Sequence, residues 1–296
     1  MATAKPTKDQ IKSLKEEYDR LKIGKDSLLQ ILDEAEIPEM VYNSNAIENS
    51  TLTLKETEKI LLEMEIARDV SLREVFEAKN LARIIEYIRV KLPALEFSKE
   101  MILLLHQMLI GNINDTIAGR FRVNNEYVRV GTHIAPPPEH IDKLIEELLI
   151  DYSSDLNSYF LDKIAKFHLE LETIHPFNDG NGRMGRVLIN YQLQKLGFPS
   201  IIIRNKGKDK YYNSFVSYRD SKNTKLMEKI LSLSLTESLH KRITYLRGDA
   251  IISLTEYAKK VNKRGSAVLN AAKRQTIPAF REKGVWKIGF DKYPLT

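Results

Sequence analysis

The sequence lacks cysteine and long apolar segments. Its 296 residues contain no Cys, so neither a disulfide framework nor a thiolate zinc site can form. The start of the chain, Met1 to Arg20, is polar and helical in pattern, without the apolar core of a signal peptide. No later run approaches about 18 uninterrupted apolar residues. We therefore expect a protein of the cytoplasm, a reducing compartment, with no membrane partner.

Most of the chain also lacks an excess of either charge. The net charge is +6, from 46 Lys and Arg against 40 Asp and Glu. Residues 249–296 contain ten basic and four acidic residues, so the residues before them balance at 36 of each sign. This asymmetry predicts a boundary near Arg247 to Asp249 and an acidic partner for the last segment.

Strand signals are few and short, whereas apolar residues recur at spacings of three and four along much of the chain. One such stripe over 164–174 predicts a helix. Ser98 is a predicted N-cap, and Thr53 begins a capping box. Short strands are predicted at 126–131, at 200–204 and as a pair near the C-terminus. The chain is therefore predicted to be mainly α-helical, with a small hairpin or two.

Glycines are concentrated in the stretch HPFNDGNGRMGR, which begins at His175 and runs into apolar residues spaced for a buried helix. That helix is predicted to begin near Gly182 or Arg183. Gly180, Gly182 and Gly185 are predicted to let the backbone turn tightly there. Backbone N–H groups at such a junction can face an anion, which the helix dipole also favours. The junction therefore predicts a site for phosphate oxygens.

The charged side chains of this stretch suit a polyphosphate and a proton transfer. Arg183 and Arg186 lie three residues apart, and each can bind phosphate oxygens in bidentate fashion. Asp179 offers the hard carboxylate oxygen that Mg²⁺ prefers. His175 could take a proton from an attacking hydroxyl, since a free imidazole has a pKa of about 6.5. Each residue alone has an ordinary structural explanation, and the prediction depends on their joint spacing.

The stretch resembles the signature of Fic proteins, His-Pro-Phe-x-Asp/Glu-Gly-Asn-Gly-Arg-x-x-Arg, at every defined position. The resemblance implies an α-helical Fic fold and protein AMPylation, the transfer of AMP from ATP to a target hydroxyl with release of pyrophosphate. It implies His175 as the general base, Phe177 as an anchor in the core and Asp179 as the ligand of the Mg²⁺ that accompanies ATP. The implied nucleotide-binding residues are Gly180, Asn181, Gly182, Arg183, Met184, Gly185 and Arg186, the last at the terminal phosphate.

The segment Ser44 to Asn49 resembles the family's inhibitory motif, Ser/Thr-x-x-x-Glu-Gly/Asn, in a helix near residues 38–49. Ser44 and Glu48 are four residues apart and would share a helical face. The resemblance implies that Glu48 pairs with Arg186 and occupies the space of the γ-phosphate. The alternative is a solvated glutamate on an ordinary helix.

Residues 126–141 resemble the family's flap, a short hairpin that aligns the target segment by adding it as a strand. Val128, Val130 and His133 would then border the mouth of the active site. The alternative is a plain surface hairpin. The preceding Gly119 to Arg122 is also frequent in Fic proteins and is expected to be structural.

Residues 209–220 correspond to the position where adenosine binds in Fic proteins. Tyr211 and Tyr218 would then stack on or hydrogen-bond with adenine and ribose. Aromatic residues at this spacing also fit an ordinary helix core, and this alternative stays open.

The basic tail resembles a small winged helix-turn-helix module, with Ser253 as the cap of its first helix and two strands at its end. Its partner is predicted to be DNA or another protein. The basic residues proposed to meet DNA phosphates are Lys273, Arg274, Arg281, Lys283 and Lys287.

These observations predict four segments and leave three functions open. The segments are an N-terminal helical region (1–90), a Fic catalytic core (91–230), a connecting helix (231–248) and the winged helix-turn-helix-like domain (249–296). The first function is a protein adenylyltransferase that Glu48 inhibits. The second is AMP removal or another nucleotide or phosphate transfer, and the third is a DNA-binding regulator with a nucleotide-sensing core. The sequence leaves the oligomeric state open, and a homodimer is one alternative by analogy with Fic proteins that pair.

Overall fold

The computed structural model describes residues 3–66 and 70–290. The protein is mainly helical, as predicted. Its helices are α1 (Lys5–Leu21), α2 (Asp26–Ile47), α3 (Leu54–Glu58), α4 (Leu72–Lys91), α5 (Lys99–Ile110), α6 (Ile141–Ser154), α7 (Phe160–Ile174), α8 (Asn181–Lys195), α9 (Lys208–Ser221), α10 (Lys225–Arg247), α11 (Leu254–Lys260) and α12 (Gly265–Lys273). Its strands are β1 (Arg129–Val130), β2 (His133–Ile134), β3 (Ala250–Ser253), β4 (Ala279–Glu282) and β5 (Val285–Phe290). Within the two described ranges, no helix is long and apolar enough to cross a membrane.

The described chain forms two compact units, which group its segments differently from the four predicted segments. The larger unit contains Ile37–Gly197 and Ile202–Lys229, and the smaller unit contains Ala4–Glu36, Phe198–Ile201 and the residues from Ile230 onward. Residues 4–36 join the smaller unit because they bind the chain after residue 230 through charged contacts. The Nη2 atom of Arg242, for example, lies 2.7 Å from Oε2 of Glu36.

A hydrophobic core fills the larger unit and supports its helices. Its members include Val41, Ile84, Leu105, Phe167 and Leu188, which come from α2, α4, α5, α7 and α8. Each lies on the apolar stripe of its helix, and burying such a side chain contributes about 1.5–3 kcal/mol. The predicted stripe over 164–174 is buried in α7. This core therefore supports both α7 and α8, the helices that flank the sequence HPFNDGNGRMGR.

The predicted helix starts are confirmed by their caps. The side chain of Ser98 accepts a hydrogen bond from the backbone N–H of Met101, and Thr53 forms a full capping box with Glu56. The segment that follows Thr53 is a single turn of α-helix that continues as a π-helix over Lys59–Glu63.

The hairpin predicted within 126–141 is present, but the strand predicted at 126–131 covers only Arg129–Val130. Strands β1 and β2 pair antiparallel over two residues each, with Val130 opposite His133. The strand predicted at 200–204 is wrong, since these residues have no strand partner. Ile201 and Ile203 are buried, so the run of β-branched residues reflects burial rather than sheet pairing.

In the smaller unit, a three-stranded antiparallel sheet has the order β3-β5-β4. The two helices α11 and α12 and this sheet enclose a small core of Leu254, Ala258, Val268, Ala272 and Ile288. The two predicted helices and the pair of C-terminal strands are present, and the winged helix-turn-helix assignment stays a prediction. Strand β3 was not predicted.

Candidate active site

The junction between α7 and α8 forms a loop fixed by hydrogen bonds. Gly180 is the N-cap of α8 with φ 84°, a left-handed conformation that favours glycine, and α8 begins one residue later, close to the predicted start. The side chain of Asn181 accepts from the N–H of Phe177 at 2.9 Å and donates to its carbonyl at 2.8 Å. The Phe177 ring is fully buried and stacks on His106, with 3.7 Å between the ring centroids. Phe177 therefore anchors the loop in the core, as the resemblance implies.

His175 caps the C-terminus of α7 in a left-handed conformation with φ 50°. Its carbonyl accepts a hydrogen bond from Nε of the buried Arg122 at 2.8 Å. Burial, assisted by the positive charge of Arg122, lowers the pKa of His175 to about 4. The imidazole is therefore neutral at physiological pH and has a nitrogen that can accept a proton.

Asp179 lies in a cluster of alternating charges. Its Oδ1 is 3.0 Å from Nη2 of Arg183, and its Oδ2 pairs with Arg73 of α4. Glu77, also of α4, lies 3.1 Å from Arg183 and 3.0 Å from Arg73. Burial opposes ionisation of Asp179, but the two guanidinium groups outweigh it and lower the pKa of this carboxyl. The carboxylate is therefore ionised and neutralised by arginine.

Arg186 is held on several sides by other residues. Its Nη2 lies 2.9 Å from Oε1 of Glu48, and Ser44 accepts from Nε through Oγ at 2.9 Å and from Nη2 through its carbonyl at 2.8 Å. Helix α2 ends at Ile47, so Glu48 lies beyond the helix rather than on its surface. Ser44 and Glu48, the two residues of the inhibitory motif, therefore both contact the guanidinium of Arg186. They do not do so from one helical face as predicted, because only Ser44 lies in α2.

The glycines after Gly180 are inside α8, where they serve packing rather than turning. A Cβ atom on Gly182 would overlap the Glu48 carboxylate, and one on Gly185 would overlap the imidazole of His168. The prediction that Gly182 and Gly185 permit a tight turn is therefore wrong, and only Gly180 of the three has the left-handed conformation. Met184 is fully buried in the hydrophobic core, and its backbone N–H donates to the carbonyl of Gly180 at 2.8 Å, so the structure does not support the predicted nucleotide contact.

Tyr211 and Tyr218 are both buried in the packed interior of the larger unit. The Tyr211 hydroxyl lies 2.8 Å from Nε2 of His168 and accepts from Nη1 of Arg186 at 3.3 Å. The Tyr218 hydroxyl donates to the Glu170 carboxylate. Their burial fits the alternative interpretation, in which both tyrosines belong to the packed interior of the protein. Tyr211 contacts the site by its hydrogen bond with Arg186.

The predicted flap is exposed at its tip, over residues 129–132. Val130 is exposed, Val128 is half-buried, and Nε2 of His133 lies 2.9 Å from the carbonyl of Thr173 in α7. Arg122 links the hairpin to the loop, since its Nη2 donates to the carbonyl of Pro136 at 2.9 Å. The described ranges contain no group of three His, Asp or Glu residues that could hold a metal, so His133 is not part of one.

A cavity of about 470 Å³ is bordered by part of this set, and its lining does not include Arg186, the two tyrosines or the flap. Its lining includes His175, Asp179, Gly182, Arg183 and Glu48. A neutral base, helix N-terminal N–H groups and arginines therefore line one space, an arrangement that suits phosphoryl chemistry.

Three residues of α4 also border the site and were missed from the sequence: Arg73, Glu74 and Glu77. The sequence indicates where α4 begins, but not that its first turn borders the site. Ser71 and Glu74 have the spacing of a capping box, which locates the start of α4, and Ser71 does cap this helix. That pattern says nothing about contacts with a loop more than a hundred residues away.

Comparison with known proteins agrees with this geometry. The Fic/DOC family profile matches residues 96–193. A relative named protein adenylyltransferase Fic from Drosophila willistoni is 35% identical over 178 residues, which are 58% of this chain and 35% of the relative. The protein of the same name from Drosophila melanogaster is 31% identical over 259 residues, 82% of this chain and 50% of that protein. The chain thus spans half or less of the length of these relatives.

Among solved structures, a Fic domain containing signaling protein from Bacteroides thetaiotaomicron is similar with a TM-score of 0.73 at 25% identity. The match covers 81% of this chain and 98% of that protein. The fold, the signature from His175 to Arg186 and the matched profile agree. This chain therefore contains a Fic/DOC family domain.

Proposed function

We propose that the protein is an adenylyltransferase that transfers AMP from ATP to a hydroxyl group of a target protein and of itself. The observation that carries the proposal is the neutral imidazole of His175 in one cavity with the N-terminus of α8 and Arg183. The names of the relatives, protein adenylyltransferase Fic, support it.

In this reaction, a Ser, Thr or Tyr hydroxyl of the target attacks the α-phosphate of ATP. His175 takes the hydroxyl proton at a ring nitrogen, the new O–P bond forms, and the bond to the β-phosphate oxygen breaks to release pyrophosphate. The N–H groups at Gly180 to Gly182 and the guanidinium groups of Arg183 and Arg186 bind the phosphate oxygens. The flap presents the target, with Val128, Val130 and His133 along its path.

The carboxylate of Asp179 fits a Mg²⁺ that arrives with ATP. Mg²⁺ is usually bound in such sites through one or two carboxylates together with phosphates and water, and Asp179 offers one. Bound Mg²⁺ would neutralise charge on the phosphates. Since Arg73 and Arg183 already pair with this carboxylate, Arg73 must yield Oδ2 for the ion to bind there.

We further propose that Glu48 inhibits the transfer by occupying Arg186. A charge-assisted hydrogen bond contributes roughly 1.5–3 kcal/mol, which corresponds to a bias of about 10- to 150-fold against productive ATP. The side chain of Glu48 is 38% exposed, which favours the lower end because solvent weakens the pair. The remaining bonds of Arg186 to Ser44 and Tyr211 would keep the guanidinium in place after Glu48 leaves.

Intact mass after incubation with ATP and Mg²⁺ tests the proposal on the wild type, on Glu48→Gly and on Glu48→Gly combined with His175→Ala. We expect one or more AMP adducts on Glu48→Gly and none on the double variant. No adduct on Glu48→Gly, with or without a candidate target, would contradict AMP transfer. Loss of AMP from a pre-modified target in the wild type, but not in Glu48→Gly, would favour AMP removal instead.

A second function is proposed for the smaller unit, the binding of duplex DNA. Lys263, Arg264, Lys273 and Arg274 at the two ends of α12 are exposed, and the order of helices and strands resembles a winged helix-turn-helix module. Two of the predicted contacts are already engaged, because Arg281 pairs with Glu237 and Lys287 with Glu282. The surface at α12 is thus the stronger candidate, with Lys283 at the turn between the last two strands.

Fluorescence anisotropy of a labelled duplex at two salt concentrations tests this surface. Replacing Lys273 and Arg274 with glutamate should weaken binding and reduce the dependence on salt, since each lost phosphate contact lowers the slope by about one. The exposed Lys229 of the larger unit, replaced with glutamate, is the control. Equal affinities of both variants would contradict the proposal and favour a protein partner. The cytoplasmic location and the homodimer remain predictions.

A further inference from the structure

The turn that carries Glu48 is short and is fixed at its start by backbone hydrogen bonds. After the end of α2, the N–H of Asn49 donates to the carbonyl of Ala46 and the N–H of Ser50 donates to that of Asn45, each at 3.1 Å. Asn49 adopts a left-handed conformation with φ 68°. The position of Glu48 therefore depends on the end of α2 before it and on the contacts of the residues that follow it.

A carboxylate from α4 holds residues 50 and 51, which follow Glu48 in the turn. Oε1 of Glu74 accepts hydrogen bonds from the backbone N–H of Thr51 at 2.6 Å, from the Thr51 hydroxyl at 2.9 Å and from the Ser50 hydroxyl at 3.1 Å. Burial alone would raise the pKa of Glu74, but these donors outweigh it and lower the pKa. The carboxylate is therefore ionised at neutral pH, and its bonds to the turn are charge-assisted.

Helix capping does not account for this arrangement. In a capping box the glutamate at the third helical position bonds back to the cap residue, and Oε2 of Glu74 does contact the Ser71 hydroxyl at 3.2 Å. The other oxygen, with three donors, is directed entirely to the turn at 50–51. The same carboxylate lines the cavity together with Glu48 and His175. Glu74 thus connects the start of α4 to the segment that bears the inhibitory residue.

We propose that Glu74 is a positioning residue for Glu48, which holds the turn so that the Glu48 carboxylate remains on Arg186. This inference rests on the proposed function, since it assigns the regulation of the same site. Loss of the Glu74 bonds allows the turn to move, and the population with Glu48 on Arg186 falls. Residual anchors limit the effect, because Tyr212 donates to the carbonyl of Ile47 at 2.8 Å and Lys208 donates to the side chain of Asn49 at 3.2 Å.

The matched variants are Glu74→Ala and Glu86→Ala, the latter an exposed glutamate on the same helix. Hydrogen exchange of the Thr51 amide should be faster in Glu74→Ala and unchanged in Glu86→Ala, because only the first loses the acceptor of this N–H. Thr51→Val, which removes one donor and keeps the shape, should act in the same direction if Glu74→Ala fails to fold. Amide hydrogen exchange outside this turn should be unchanged in Glu74→Ala. This result would show that Glu74 positions the turn and does not simply stabilise the whole protein.

The functional readout is the affinity for a non-hydrolysable ATP analogue, measured by calorimetry. We expect Glu74→Ala to bind it about three- to tenfold more tightly than the wild type, in line with the loss of one or two hydrogen bonds of the inhibited state. In the Glu48→Gly background, Glu74→Ala should add nothing, because the inhibitory side chain is already gone. Additive effects of the two changes, or an affinity equal to that of Glu86→Ala, would overturn the proposal.

The two readouts separate this inference from the proposed function. If Glu48→Gly binds the analogue more tightly but transfers no AMP, the transferase proposal fails and the role of Glu74 stands. If Glu48→Gly transfers AMP while Glu74→Ala changes neither the exchange of Thr51 nor the affinity, only the role of Glu74 fails.

Discussion

Arg122 offers a sharp test of how the site is built, because one buried side chain holds the loop of His175 and the flap together. Its guanidinium donates to the carbonyls of His175, Glu126 and Pro136 at 2.8, 2.8 and 2.9 Å, and the residue is 1% exposed. Replacement by methionine keeps an unbranched apolar stem, which is two atoms shorter, and removes these three bonds together with a longer one to the carbonyl of Ile174. The buried carbonyls would then lack donors unless the loop opens to water.

The expected cost of Arg122→Met follows from these contacts. Hydrogen bonds to a charged group contribute about 1.5–3 kcal/mol each, and partial opening of the loop recovers some of the loss, which leaves about 3–5 kcal/mol. For a unit of this size, such a loss lowers the melting temperature by roughly 6 to 20 °C.

Differential scanning calorimetry measures the effect, with Arg129→Met as the control. Arg129 is an exposed residue of the same hairpin, and its replacement should change stability by less than about 0.5 kcal/mol. A shift for Arg122→Met that equals the control would refute the reasoning, since it would mean that the carbonyls find other donors without cost.

Three further predictions concern the same site. Gly185→Ala should destabilise the protein by about 1–3 kcal/mol, seen as a lower melting temperature, because the new Cβ would overlap the imidazole of His168. Since burial lowers the pKa of His175 to about 4, the base is lost only as the pH falls through that value, and a pH–rate profile of AMP transfer should show its acid limb near 4 rather than 6.5. Arg73→Ala frees Oδ2 of Asp179, so the affinity for Mn²⁺ in the presence of ATP, followed by electron paramagnetic resonance, should rise about two- to fivefold, and an unchanged affinity would contradict the competition.

Local features of this protein were predictable from its sequence. The stripe of α7, the caps Ser98 and Thr53 and the start of α8 depend on residues close in the chain, and periodicity and capping chemistry report such contacts directly. The signature from His175 onward is a single continuous stretch, which is why its contribution to one cavity could be anticipated.

Long-range contacts could not be predicted in this way. Arg73 and Asp179 are 106 residues apart, and nothing in the pattern of α4 specifies which surface its first turn faces. Gly185 shows a related limit, because spacing alone does not distinguish a glycine needed for a left-handed turn from one needed for close helix packing. The isoleucines near residue 201 show a third limit of sequence-based prediction. A buried segment rich in β-branched residues has the sequence pattern of a strand even where no partner strand is available.

The smaller unit is assembled from segments that are far apart in the sequence, and this affects the order in which the chain can fold. Nε2 of Gln10 in α1 donates to the carbonyl of Gln275, a contact between residues separated by 265 positions. During synthesis from the N-terminus, this contact can form only after residue 275 has left the ribosome. The segments of the larger unit, by contrast, are complete at Lys229. Helix α1, with the apolar side chain of Ile11, must therefore wait for its partners while the larger unit folds, whereas refolding from denaturant, with all residues present from the start, imposes no such order.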